Sequence, residues 1–167
     1  DHRIVVDRIG QERRHERDAW GAERRQDRKQ PLGRGARQVV GVDLLKPLEM
    51  LLPAYDDALG VTAAFNLNVL RHVNRLLGSD FDVAQWRHVA LFDAAQSRIE
   101  MHLEARCDLQ VRWPGGSLQR RAGERVHTEY AFKYTVEGFD GLLRRAGYAH
   151  TRCWTDPQRW FAVFVAR

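Results

Sequence analysis

The chain has 167 residues, 44% of them hydrophobic and 29% charged, the balance of one globular domain or a piece of a larger one rather than of a disordered polymer. No run approaches the roughly 18–20 continuous apolar residues that a membrane-spanning helix requires, and the charged N-terminus lacks the apolar stretch of a signal peptide. Cys107 and Cys153 are too few for a disulfide framework and form no C-x-x-C pair, so a reducing, cytoplasmic setting is expected.

The charge is uneven. Residues 1–37 hold 11 of the 27 Lys+Arg and 7 of the 22 Asp+Glu, and supply most of the formal +5. The chain begins at Asp1 rather than Met and reads as part of a longer protein. Three readings of the Arg-rich first segment stay open: an exposed, salt-bridged helix or disordered arm, a nucleic-acid arm, or a stretch that is not native sequence. The interleaved acids weigh against nucleic acid, because phosphate contact needs uncompensated positive charge. No nucleic-acid or membrane partner is therefore expected.

Regular structure is expected from Gln38 onward. Gln38-Val39-Val40-Gly41-Val42-Asp43 reads as a buried parallel strand. A helical stretch between Leu44 and Leu59 is expected to be interrupted at Pro53. Val61, Phe65, Val69, Val73 and Leu77 recur every four residues and predict a helix over 61–77, closed by Gly78. Asp56 and Asp57 read as the end of one helix and the start of the next.

The middle is β-rich. His88 to Phe92 is expected to be a strand. Ile99, Met101, Leu103 and Ala105 alternate with Glu100, His102 and Glu104. Leu109–Trp113 and Ser117–Arg121 flank Pro114-Gly115-Gly116 as a hairpin. In the next strand Val126, Thr128 and Tyr130 fall on one face, with His127, Glu129 and Ala131 on the other. A helix is expected over 136–146, then strands over 148–154 and 160–166. The fold class is α/β with a β-rich insertion.

The run Leu51-Leu52-Pro53-Ala54-Tyr55-Asp56-Asp57-Ala58-Leu59-Gly60-Val61-Thr62-Ala63-Ala64-Phe65-Asn66-Leu67-Asn68-Val69-Leu70 resembles the histidine-specific N-alpha methyltransferases of ergothioneine synthesis. Arg98-Ile99-Glu100-Met101-His102-Leu103, Thr128-Glu129 and Cys153-Trp154-Thr155-Asp156-Pro157 fit the same family. The resemblance implies the C-terminal part of a class I Rossmann-like methyltransferase, with an inserted α+β substrate-binding domain. Residues 38–44 and 135–167 would belong to the Rossmann-like sheet, residues 45–134 to the insertion, and residues 1–37 to an arm. The activity implied is S-adenosylmethionine-dependent methylation of the α-amino group of L-histidine, three times, to hercynine. No G-x-G-x-x-G occurs, so the donor S-adenosylmethionine is expected to bind outside this chain. A non-catalytic module of α+β type that binds an amino acid or other small molecule is the alternative.

The resemblance places substrate contacts on Tyr55, for the carboxylate, and on Glu129, for the imidazole, with Phe65 and Met101 shaping the pocket beside the ring. A tyrosine hydroxyl donates to a carboxylate oxygen, and a carboxylate accepts from an imidazole N–H. Without the resemblance, Tyr55 reads as a core or helix-surface tyrosine and Glu129 as a solvated strand acid, and the apolar spacing of Phe65 and Met101 equally suits a plain core role. Ala131 departs from the family, whose histidine-binding members often carry serine there, and leaves a related aromatic amino acid or amine open as acceptor. No catalytic residue is singled out. His102-x-Glu104 and His127-x-Glu129 match no established zinc signature, and no metal is expected. The complete enzyme is expected to be a monomer. This shorter chain should self-associate through the open edge of the strand at 38–43; a monodisperse, cooperatively melting monomer in sedimentation would contradict that.

Overall fold

The computed structural model describes residues 37–167, so residues 1–36 and the three readings placed on them lie outside the described residues. In chain order the elements are β1 (Gln38–Asp43), α1 (Leu48–Tyr55), α2 (Val61–Leu77), a 3-10 turn (Val83–Gln85), β2 (Trp86–Asp93), β3 (Arg98–Ala105), β4 (Leu109–Trp113), β5 (Gly116–Arg120), β6 (Arg125–Phe132), α3 (Val136–Arg145), β7 (Thr151–Thr155) and β8 (Phe161–Ala166). The described residues divide into two compact units, one of Leu45–Lys133 and one of Tyr134–Arg167 with residues 37–44.

In the second unit the strand order is β1-β8-β7, with both pairings antiparallel. Ala162, Phe164 and Ala166 alternate inward along β8 and meet Val42, Leu44, Phe139, Leu143 and Tyr148 in one core. Helix α3 starts where the Thr135 hydroxyl accepts from the Gly138 N–H at 3.0 Å and buries Phe139 and Leu143. Its last turn carries Arg144 and Arg145, cations that suit the partial negative charge of a helix C-terminus. The β7–β8 turn is organised by Asp156, whose carboxylate accepts from Phe161 N at 2.7 Å and Trp160 N at 2.8 Å. Those bonds hold its pKa below the ordinary carboxylate range. At Gly41 a Cβ would stand 2.7 Å from the Phe161 ring, so the ring's seat requires glycine.

Two expectations change here. Among the described residues β1 is not a buried parallel strand: it pairs antiparallel with β8, and Gln38, Val39 and Gly41 are exposed. With strand contact on one side only, just Val42 is driven fully inward. The penultimate strand begins at Thr151 rather than Tyr148, because Gly147 turns the chain at φ +100. Tyr148 instead fills the core and donates its hydroxyl to Gln38 Oε1 at 2.6 Å.

In the Leu45–Lys133 unit, β2, β3 and β6 form an antiparallel sheet with β3 central, and β4 and β5 form a separate hairpin. Helices α1 and α2 both pack on β2 and β3. Leu51, Ile99 and Met101 are buried at the centre, with Leu52, Tyr55, Ala90, Phe92 and Ala131 packed around them. Full burial of side chains such as Leu51 and Ile99 contributes about 1.5–3 kcal/mol each before entropy is counted. Helix α1 does not break at Pro53 but continues to Tyr55. Proline has no N–H to give the carbonyl four residues back, and the anchorage of Leu51, 1% exposed, offsets that loss.

Helix α2 has the expected bounds, between Gly60 (φ +71) and Gly78 (φ +65). Its buried residues, however, are Asn66, Leu70 and Val73. A strict spacing of four advances about 400° around a helix, some 40° beyond a turn, so Val61 and Phe65 rotate off the face that Val73 shares; they are 65% and 67% exposed. Thr128 is one residue too many in β6. Met101 lies opposite Glu129 and His102 opposite His127, so Thr128 bulges between them and its hydroxyl donates to the Met101 carbonyl at 2.9 Å. The simple alternation expected along this strand therefore ends at Thr128.

The Asp57 carboxylate accepts from Val61 N at 3.0 Å and Thr62 N at 2.8 Å. These bonds, Thr62's first, lower its pKa to about 2. A carboxylate depressed in the fold stabilises it above the unfolded pKa, near 3.9, and the contribution is lost as pH falls through the folded value. Urea denaturation should show Asp57→Asn less stable than wild type at pH 7, with the gap closing between about pH 4 and pH 2.

Candidate substrate site

Positions opposite one another in an antiparallel pair share a face. Ile99 is paired with Ala131 and Met101 with Glu129. Tyr55, at the end of α1, packs on the same cluster as Ala131. The sheet thus brings Tyr55, Met101, Glu129 and Ala131 to one apolar face. It does not bring Phe65 into that cluster: two thirds exposed on α2, Phe65 is no core residue, contrary to its spacing.

The two polar ends of this face differ in character. Glu129 is exposed, and no other described residue hydrogen-bonds its carboxylate. Beyond Ala131 the alternation reaches Lys133, which is 3% exposed. Its ammonium donates to the Tyr55 hydroxyl oxygen at 2.6 Å and lies 4.5 Å from the centre of that ring. Backbone bonds fix the lysine: Lys133 N donates to Ser97 O at 2.7 Å, and Ser97 Oγ donates to Lys133 O at 3.1 Å.

Tyr55 is also held from its main chain. His88 Nε2 is 2.7 Å from the Tyr55 carbonyl, and His88 Nδ1 is 2.9 Å from Asn66 Nδ2. The amide nitrogen is a donor only, so Nδ1 accepts and Nε2–H donates to Tyr55. The same Asn66 nitrogen reaches the His102 carbonyl at 3.2 Å. Asn66 thereby ties α2, β2 and β3 together beneath the end of α1.

The opposite face of the sheet is an ion-pair surface. Glu104, 4% exposed, is bonded by Arg125 and by Arg87, whose guanidiniums lower its pKa. Arg98 bonds Glu100 at 2.5 Å and stacks 3.8 Å from the Tyr130 ring centre. His102 and His127 meet edge to face, with ring centres 5.3 Å apart. The bulge sends His127 to His102 but Glu129 to Met101, so the two His-x-Glu pairs do not converge. Among the described residues no three His, Cys, Asp or Glu side chains are placed to hold a metal ion, and no helix is long and apolar enough to cross a membrane.

Comparison with known proteins identifies the family. A profile described as "Histidine-specific methyltransferase, SAM-dependent" matches residues 8–167. The chain belongs to that family. It is 43% identical over 134 residues to a histidine N-alpha-methyltransferase of Mycolicibacterium smegmatis, covering 79% of this chain and 42% of that protein. It is 40% identical over 136 residues to the histidine N-alpha-methyltransferase of Mycobacterium tuberculosis, with the same coverage. Ergothioneine biosynthesis protein 1 of Neurospora crassa is 29% identical over 139 residues, 81% of this chain and 15% of that protein. The chain thus spans about two fifths of the length of the two mycobacterial relatives.

Three residues at the candidate site carry no local mark in the sequence: Lys133, His88 and Asn66. Each is polar and makes its bond to a residue between 22 and 78 positions away, a distance no local pattern reports. The one available signal was rarity, since Lys133 is one of three lysines beside 24 arginines. Replacing Asn66, 1% exposed, with leucine would remove the donor to His88 Nδ1. An unsatisfied buried acceptor costs roughly 1–3 kcal/mol. Urea denaturation of Asn66→Leu should therefore show a loss of that size, with the Tyr55 backbone exchanging its amide hydrogens faster.

Proposed function

We propose that this chain supplies the acceptor-binding part of an enzyme that methylates the α-amino group of L-histidine, three times, to hercynine. Tyr55 would meet the substrate carboxylate and Glu129 the imidazole, with Met101 and Ala131 forming the apolar floor between them. The observation that carries the reading is that Glu129 and Ala131 lie next to one another on the face where Tyr55 packs. On β6 they are two residues apart, about 7 Å, and an amino acid with a basic ring needs an acceptor at its side-chain end and a donor at its carboxylate end. The names of the mycobacterial relatives point to the same substrate. Ala131 has no hydroxyl, so Glu129 carries most of the ring recognition.

The fold reading is a class I Rossmann-like sheet interrupted by a substrate-binding insertion. It is supported by the order β1-β8-β7, in which β8 runs antiparallel between two strands that are parallel to each other. It is also supported by the compact unit Leu45–Lys133, which leaves and re-enters the sheet unit at the Leu44–Tyr134 bridge. The donor, S-adenosylmethionine, does not fit the described residues. A nucleotide-type cofactor is held by glycine-rich backbone at a strand-to-helix turn, whereas β1 passes to α1 through Leu44-Leu45-Lys46-Pro47, with no glycine. The part these residues play is to bind and orient the acceptor, and positioning is a large share of what such a site contributes.

Titration calorimetry tests this. L-Histidine should bind this chain saturably, while S-adenosylhomocysteine should give no heat of binding. Glu129→Gln removes the charge from the imidazole contact and should weaken L-histidine binding roughly tenfold. Unchanged affinity in that variant would contradict the role of Glu129.

A further inference from the structure

We infer that Lys133 is a positioning residue that, with Tyr55, forms a subsite for the α-carboxylate of an amino acid. The inference deepens the proposed function and rests on its orientation of the ligand. An ammonium has three donors and no acceptor. At 2.6 Å the Tyr55 hydroxyl oxygen must therefore accept from Lys133 Nζ. That bond turns the tyrosine's own proton away from the lysine, toward whatever stands on the open side of this half-buried ring. A hydroxyl polarised by a cation is a stronger donor to an anion than an isolated one. The positive charge sits in a nearly dry position, where its field on a neighbouring carboxylate is little screened.

The geometry also fixes polarity along the site. Glu129, Ala131 and Lys133 follow one another at every second residue, so the face runs from an acid, over a methyl group, to a buried cation capped by a hydroxyl. With about 3.3 Å per residue, acid and cation backbones stand roughly 13 Å apart. A zwitterionic amino acid with a basic side chain is complementary in one direction only, carboxylate toward Lys133–Tyr55 and ring toward Glu129. Nothing in that argument requires the side chain to be imidazole, so the subsite should serve any α-amino acid that fits the floor.

The test compares L-histidine, L-phenylalanine and histamine, which lacks the carboxylate, as calorimetric ligands of the 167-residue chain and of Lys133→Met, Lys133→Arg, Tyr55→Phe and the double variant Lys133→Met/Tyr55→Phe. Thermal melts confirm that each variant is folded. Lys133→Met should weaken L-histidine about 10- to 100-fold, the range of a hydrogen bond to a charged group, and leave histamine within about twofold. Lys133→Arg should recover part of the loss. Tyr55→Phe and Lys133→Met should be non-additive for L-histidine and additive for histamine. A purely structural lysine would weaken both ligands alike, and that result, or no effect on L-histidine, overturns the inference. L-Phenylalanine binding as tightly as L-histidine, with the same dependence on Lys133, would uphold this subsite while removing histidine as the acceptor. If L-histidine binds and depends on Glu129 but not on Lys133, the function stands and the subsite falls.

Discussion

One extra residue in one strand decides what the central sheet of the Leu45–Lys133 unit can hold. Thr128 bulges from β6 and spends its hydroxyl on the Met101 carbonyl. On one side of the bulge, Glu129 and Ala131 stand opposite Met101 and Ile99. On the other side, His127 is thrown to the far face, against His102 and Tyr130. Without the extra residue His127 and Glu129 would share a face, and either the acid would leave the apolar floor or a histidine would join it. The bulge separates the apolar face that carries Glu129 and Ala131 from the face of ion pairs.

The Met101–Ala131 face is polarised because its ends are held differently. Lys133 is buried and tethered to Ser97 through main-chain and hydroxyl bonds, so its position is set by the sheet rather than by a ligand. Tyr55 is fixed from two directions, at its hydroxyl by Lys133 and at its carbonyl by His88. Asn66 joins that histidine to β3. The Tyr55 end of the face is thereby held by its own hydrogen bonds, and under the proposed function that preorganisation would lower the ordering cost of binding. Glu129 is exposed at the other end.

Much of this was legible in the sequence where local rules decide. The bounds of α2 follow from Gly78 and the apolar period before it, and Asp56 and Asp57 end one helix and begin the next as their chemistry suggests. The β4–β5 hairpin follows from Pro114-Gly115-Gly116. The face of α2 did not follow, because a spacing of four drifts around the helix and the buried stripe runs through Asn66, a polar residue whose burial depends on distant partners. The bulge was hidden because an extra residue in a strand that already alternates leaves no mark until the partner strand is known. Lys133 does not stand out in the sequence, because an isolated lysine at a strand end is ordinarily solvated. The family resemblance singled out Tyr55, Met101, Glu129 and Ala131 as candidates, but the residues that hold Tyr55 in place appear only once α1, β2 and β6 are brought together.

The orientation of a bound amino acid tests the account most directly. A crystal structure of this chain soaked with L-histidine should show the carboxylate against the Tyr55 hydroxyl, on the Lys133 side, and the imidazole against the Glu129 carboxylate, over Met101 and Ala131. Histidine bound the other way round on this face, or seated on the Arg98–Glu100–His102 face of the sheet, would contradict it.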